Sequence, residues 1–559
     1  MSEAVPIVAG KPADRSLAIA YPAPGTYVAG ASSSFARNAA LALLPILATL
    51  PLAALVLRIG PGQVVEAFGR LFSEGRGLPA LAFGLKQAAG SSLVALLVGL
   101  PGAWIFATWR FPGRSLARAL ALLPFCLPPV LVALGFVQYY GRNGIVNQVL
   151  SGFGLPGFGA IGFLYSLPGL CLVHGFYNFP LVLDLVGSAL SGIAPTRSEA
   201  ARSLGAGRLR AFFAGTLPGI LPSILEAAAL SFLFSFFSFV VVMLFAPLGS
   251  ATTETEIWRL YRLEGDPAGA TALALVQTFL ALMILGLLAF GASRLSAPSS
   301  EGVAGRESRK PGPIGWIAIA GYGFALAVLF FGPLLMVLGG SLTDRQAFGA
   351  ASFPAIGSWL RVLGSGLLAR ALVDTLVSAL PAALIATACG FVLANLWKGN
   401  RMRADSLASL PLAISGVVAA AGWSLLLPTA GLWAVILVEA LIALPFSLKT
   451  SLHALSLLKE EGAEAARSLG ASPLQALLRI RLPAILPSLL SSLAFSFALA
   501  AGDATTPLVL GVPDFEPLPL AIYRLAGAYR FPEACVLGVV LALLSGFAFR
   551  AKGWTFFHA

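Results

Sequence analysis

Apolar residues fall along this chain in long runs separated by short polar stretches. A helix needs about 20 such residues to cross the hydrocarbon core of a bilayer. On that rule the sequence predicts twelve spans. Six lie near 38–57, 81–108, 119–140, 161–190, 219–246 and 268–292, and six near 313–340, 371–397, 405–428, 432–456, 484–511 and 531–549. Between the sixth and seventh runs SRLSAPSSEGVAGRESRKPGP, a polar stretch rich in Pro, Gly and Ser that reads as a linker over 293–312. Residues 1–37 lack the apolar core of a cleavable signal and read as a loose tail. The expected fold is an all-α integral membrane protein. It has a first transmembrane domain over 38–292 and a second over 313–559.

Composition removes the soluble alternatives. The chain is 58% hydrophobic and 11% charged over 559 residues, with mean hydropathy +0.88. A soluble chain of this length cannot hide that much apolar surface. The net charge of +12 does not indicate nucleic acid, because the basic residues are spread over short loops. Their distribution instead fixes orientation. With the N-terminus inside, the inner segments hold 23 Lys/Arg and the outer segments 11, for net charges of +14 and +1. Lys/Arg bias sets topology, so both termini are expected in the cytoplasm. Cys126, Cys171, Cys389 and Cys535 show no metal spacing and read as packing residues, and His174, His453 and His558 form no zinc or triad pattern.

The two halves repeat. EAARSLGAGRLRAFFAGTLPGILPS at 199–223 and EAARSLGASPLQALLRIRLPAILPS at 464–488 share 16 of 25 positions at an offset of 265. Pro180 matches Pro445 and Pro267 matches Pro532 in the same register. Equal span counts in each half imply a parallel repeat about an axis along the membrane normal.

Each repeat carries Glu-Ala-Ala, three residues, Gly, nine residues, a variable position, one residue, then Leu-Pro. Glu-Ala-Ala-Arg-Ser-Leu favours helix, Gly205 and Gly470 suit a left-handed stop, and Pro218 and Pro483 suit a first helical turn. Acids also favour first turns for electrostatic reasons alone. The doubled motif, each copy between the fourth and fifth spans of its half, resembles the EAA loop of ABC importer permeases of the type I fold. The resemblance implies that loops 192–217 and 457–482 are coupling elements that dock on an ATPase. Glu199, Ala200, Ala201, Arg202 and Gly205 would carry one contact, and Glu464, Ala465, Ala466, Arg467 and Gly470 the other. No GxxxxGK[ST] occurs, and Gly10-Lys11 lacks a phosphate-loop context. ATP and Mg would therefore be used by two separate ATPase copies, and the chain itself is expected to be no enzyme and to hold no cofactor or metal. The resemblance further implies a periplasmic or lipid-anchored binding protein as partner.

Ionisable residues inside spans are costly and are functional candidates by default. They are Lys86, Asp184, Glu226, Asp374, Glu439, Lys449 and Asp503, acids outnumbering bases. Asp184, Glu226 and Lys449 sit near the inner face; Glu439 and Asp503 lie deeper or farther outward and are expected on the substrate path, together with Phe232 and Phe236 of the run SFLFSFFSFV. Such runs are more often simple lipid or helix packing. The segments 256–262 and 521–529 match at the repeat offset. Trp258, Arg259, Tyr523 and Arg524 in them are expected at the outer mouth, either anchoring the interface or meeting a binding protein. The fused arrangement resembles the ferric-iron/thiamine/polyamine branch of these permeases. YYGRNGIVNQVLSGFG, HGFYNFPLVLDL and PLAIYRLAGAYR look most like the thiamine type, whereas Ala504 and Thr505 depart from that type's Gly-Asp-Phe-Gly. The expected function is import of a small cation, thiamine first, with ferric iron or polyamine as alternatives. A twelve-span secondary transporter would share the topology but leave the doubled motif unexplained.

Overall fold

The computed structural model describes residues 31–122, 124, 127–155, 157, 162–192, 196–295, 309–343, 356–396, 410–427, 429, 431–458 and 461–556. Most of the expected tail and the middle of the linker lie outside them. Among the described residues the fold is helical apart from turns and one isolated bridge. Eight helices among the described residues are long and apolar enough to cross a membrane. Shorter apolar stretches, Pro45–Ile59, Pro129–Tyr140, Gly416–Leu426 and Phe531–Gly546, stand at the first, third, ninth and twelfth expected spans.

The repeat extends beyond the motif. Leu167–Gly192 and Leu432–Leu457 begin and end at the same offset of 265, as do Leu217–Phe236 and Leu482–Ala501. Each half is built on one tight helix pair, Gly77–Thr108 against Leu167–Gly192 and Leu367–Leu396 against Leu432–Leu457. Lipid gives apolar side chains no reason to leave it, so close packing at small residues holds such pairs. Buried Ala95 and Ala103 pack with Val182 and Val186 in one contact, and Ala394 with Leu444 and Leu448 in the other.

The first helix of each half crosses the third span of the other. A Cβ at Gly422 would meet the Pro51 carbonyl oxygen at 2.3 Å, and a Cβ at Gly135 would meet that of Pro333 at 2.4 Å. Glycine alone permits these two symmetric backbone contacts. Tyr261 adds a cross-half hydrogen bond to the Ser424 hydroxyl at 2.7 Å.

Several expected spans are not single helices. The fifth and eleventh, expected over 219–246 and 484–511, break at 237–239 and 502–504 and resume as Val240–Phe245 and Thr505–Leu510. The Asp503 side chain accepts from the Thr505 and Thr506 amides and so caps the resumed helix. The third span is split into Arg114–Leu122 and Pro129–Tyr140: Pro124 follows the first piece by two residues, and Pro129 suits the first turn of the second. The ninth is shortened to Gly416–Leu426, opened by a Ser415 cap. The first helix starts at Ala31 rather than 38 and turns by 94° into the amphipathic Pro61–Ser73. The linker ends by pairing with the second span: Arg309 donates to the Thr108 carbonyl and accepts from the Arg110 amide.

Candidate functional site

The two motif loops fold identically. Thr196–Ser203 and Glu461–Ser468 are two-turn helices, followed by short helices Arg208–Ala211 and Pro473–Ala476. One turn of π-helix, Phe212–Thr216 or Leu477–Arg481, then leads into the next span. Gly205 and Gly470 stop the first helices at φ +85° and +88°. In each loop the glycine amide donates three residues back, and the following alanine amide donates five back, to Ala201 or Ala466. This is the Schellman stop, which satisfies carbonyls that the helix end would leave open.

Glu199, Ala200 and Arg202 are exposed, and Ala201 is half-buried. Ala465, Arg467 and Gly470 are exposed in the second loop, while the side chain of Glu464 lies outside the described set. Leu204 and Leu469 stand 89% and 90% exposed at the tips, beside the glycines. The sequence reading missed these leucines because a leucine next to a helix stop looks like ordinary packing. Six spans separate the two loops, so alternation of direction puts both on one face of the bundle, hereafter the motif face.

The opposite face is tied by ion pairs. Arg76 bridges Glu256 and Glu264, both at 2.9 Å, and Arg259 reaches the same two acids at 3.2 Å. Arg70 meets Asp266, Arg361 meets Glu533, and Arg524 meets Glu516 at 3.1 Å. Arg259 and Arg524, expected at a mouth, are therefore held by acids of their own half. Trp258 and Arg524 line a cleft of about 810 Å³ on this face, with Arg262, Arg370, Asp374 and Glu516 among its other walls. Tyr523 is half-buried beside it.

Within the bundle, Phe236 is fully buried and stacks on Phe232, its ring against Gly84, so this pair packs within the first half. Phe234 instead reaches Phe446 of the second half. Glu439 is 3% exposed and accepts from the Ser378 hydroxyl at 3.4 Å. A further acid, Glu254, is fully buried and accepts from the Gln277 amide. Sequence reading placed Glu254 in an outer loop, because the short helix Thr253–Trp258 that buries it carries no apolar run.

The family described as binding-protein-dependent transport system inner membrane component matches residues 25–300 and again 316–551. The thiamine transport system permease protein ThiP of Brucella abortus (strain 2308) is 29% identical over 538 residues, covering 92% of this chain and 94% of that protein. ThiP of Escherichia coli (strain K12) is 28% identical over 482 residues, covering 83% and 86%. The molybdenum transport system permease protein ModB of the same organism is 32% identical over 209 residues, covering 37% of this chain and 89% of ModB. These matches agree with the doubled loop geometry and the helical repeat. The chain is a multi-pass permease of an ABC importer, and it belongs to the family of binding-protein-dependent transport system inner membrane components.

Proposed function

We propose that this permease imports thiamine or a closely related organic cation, delivered by a binding protein and driven by two copies of a separate ATPase, one on each motif loop. The chain contributes no hydrolysis and holds no cofactor. The observation that carries the cargo assignment is similarity to thiamine permeases along nine-tenths of the chain, more than either half alone can supply. The similarity to a molybdenum permease spans little more than one third of the chain, the length of a single half.

In this reading the motif face is cytoplasmic, with both termini and the linker on that side, as the +14 against +1 charge asymmetry favours. The domains run 38–292 and 313–559. Glu199, Ala200, Ala201, Arg202 and Gly205, with Glu464, Ala465, Ala466, Arg467 and Gly470, form the coupling contacts. The exposed Leu204 and Leu469 supply the apolar part of each contact. Trp258, Arg259, Tyr523 and Arg524 frame the receiving face for the binding protein. The direct test is uptake of labelled thiamine into vesicles holding the permease with its ATPase. The expected result is uptake that needs both ATP and the binding protein. Uptake indifferent to ATP would point to a secondary transporter, and none with thiamine but uptake of ferric iron would reassign the cargo.

A further inference from the structure

Both halves bury a polar node at one place in the repeat. Alignment on the close-approach glycines Gly99 and Gly390 relates the second and eighth spans by an offset of 291. The fourth and tenth spans are related by 265. Under those offsets Gln87 corresponds to Ser378, and His174 to Glu439. The structure pairs them accordingly, Gln87 to His174 at 2.8 Å and Ser378 to Glu439 at 3.4 Å. The same node therefore holds amide and imidazole in one half, hydroxyl and carboxyl in the other.

The second half adds a second acid. Asp503, in the break of the eleventh span, stands at the level of Glu439: Ile436 and Ala440, on either side of Glu439, pack with Ala500 and Ala501, and Ser447 farther along meets Ser496. The counterpart of Asp503 in the first half is Ser238. Asp503 binds the Thr505 and Thr506 amides, whereas Glu439 Oε2 and the fully buried Thr506 Oγ1 have no hydrogen-bond partner. Among the described residues no basic side chain pairs with Glu439 or Asp503. Two carboxyls and two hydroxyls, with unpartnered oxygens buried among them, form an oxygen-lined set suited to a cation and hostile to an anion.

The cleft of the far face comes within one helical turn of it. Asp374 lies one helical turn before Ser378 on the same helix, and Pro507 follows Thr506; both line the 810 Å³ cleft of the far face. Three arginines also line the cleft: Arg524 is bound to Glu516, Arg262 rests against Gly511, and Arg370 reaches the Ser365 carbonyl. The second half thus offers Asp374, Ser378, Glu439 and Asp503. The first half offers Phe83, Gln87, His174 and Ser238 at the matching places.

We infer that the second half alone carries the cation-binding station of the translocation path, formed by Glu439 and Asp503 with Ser378 and Thr506, and entered from the cleft past Asp374. This deepens the proposed import of an organic cation and rests on that reading for its cargo. Fusing the halves lets one node bind while its counterpart only packs.

Two measurements separate the station from the cargo. The first is labelled thiamine uptake by the permease–ATPase complex in vesicles. Glu439→Gln and Asp503→Asn should each lose ~10-fold or more, as for a charge contact in a dry site. His174→Gln should stay within about twofold on the same scale. Membrane yield and melting temperature of the variants distinguish lost binding from lost folding. The second uses Ser378→Cys in a cysteine-free background, with vesicles cycling on ATP. A trimethylammonium methanethiosulfonate should modify it ~10-fold faster than a sulfonate one, and that ratio should collapse in Glu439→Gln and Asp503→Asn. A ratio near one, or one indifferent to both substitutions, overturns the station even where thiamine uptake is robust. An intact ratio with no thiamine uptake by the unmodified complex overturns the cargo and leaves the station standing.

Discussion

Replacing Gly470 by alanine tests whether the coupling loop depends on its left-handed stop. The glycine sits at φ +88°, and a Cβ there meets nothing within 4 Å. No clash contributes, so the whole effect is conformational. An L-residue in this region costs about 1–2 kcal/mol, and the stiffer unfolded chain returns about 0.4–1 kcal/mol. The net penalty is about 1 kcal/mol on the docking conformation. If that conformation is then partly depopulated, the apparent Kd for the ATPase rises by up to about fivefold. Gly205→Ala, at φ +85° and equally open, should act alike, and the pair together should reach up to about 30-fold if the loops act independently. The assay is titration of the ATPase onto detergent-solubilised permease. Gly470→Asn is the decisive control, since asparagine tolerates the left-handed region. An asparagine variant as weak as the alanine variant, or an alanine variant with unaltered Kd, would refute the reasoning.

Three further outcomes follow from the same geometry. Gly422→Ala forces a Cβ to 2.3 Å from the Pro51 carbonyl oxygen, so it should cost about 1–3 kcal/mol and lower the melting temperature by several degrees; Gly286→Ala, with open space around it, should cost almost nothing. Arg76→Ala leaves the nearly buried Glu256 to Arg259 alone, and should destabilise by about 1–2 kcal/mol after allowance for the one-third exposure of Arg76; Arg76→Lys should not restore it, because one ammonium cannot span two acids as a guanidinium does. Lys310→Cys in a cysteine-free background should resist impermeant labelling from outside intact cells, and efficient labelling would reverse the orientation.

Much of this architecture was legible in the sequence because bilayer thickness dictates apolar run length and because the repeat is written residue by residue. The helix stops at Gly205 and Gly470 followed from local chemistry alone. What stayed hidden was non-local or masked by uniform hydrophobicity. The breaks at 237–239 and 502–504 lie inside continuous apolar runs, and the Gly502-Asp503 pair was the only cue to the second. The crossing of Gly422 on Pro51 and of Gly135 on Pro333 joins segments hundreds of residues apart. Glu254 read as an outer acid because nothing in its neighbourhood announces Gln277 as its partner. The ion pairs of Arg259 and Arg524 were not foreseen at the outer mouth, because Glu264 and Glu516 sit in stretches with no pairing periodicity.

The central claim is that the two motif loops together hold the ATPase. Reversing both acids, Glu199→Arg with Glu464→Arg, tests it most directly, because Glu199 is exposed and its loss disturbs no packing. Membranes carrying the double variant should contain normal amounts of permease, yet purification through the permease should recover little ATPase. Recovery of ATPase equal to that of the unmodified chain would contradict the account.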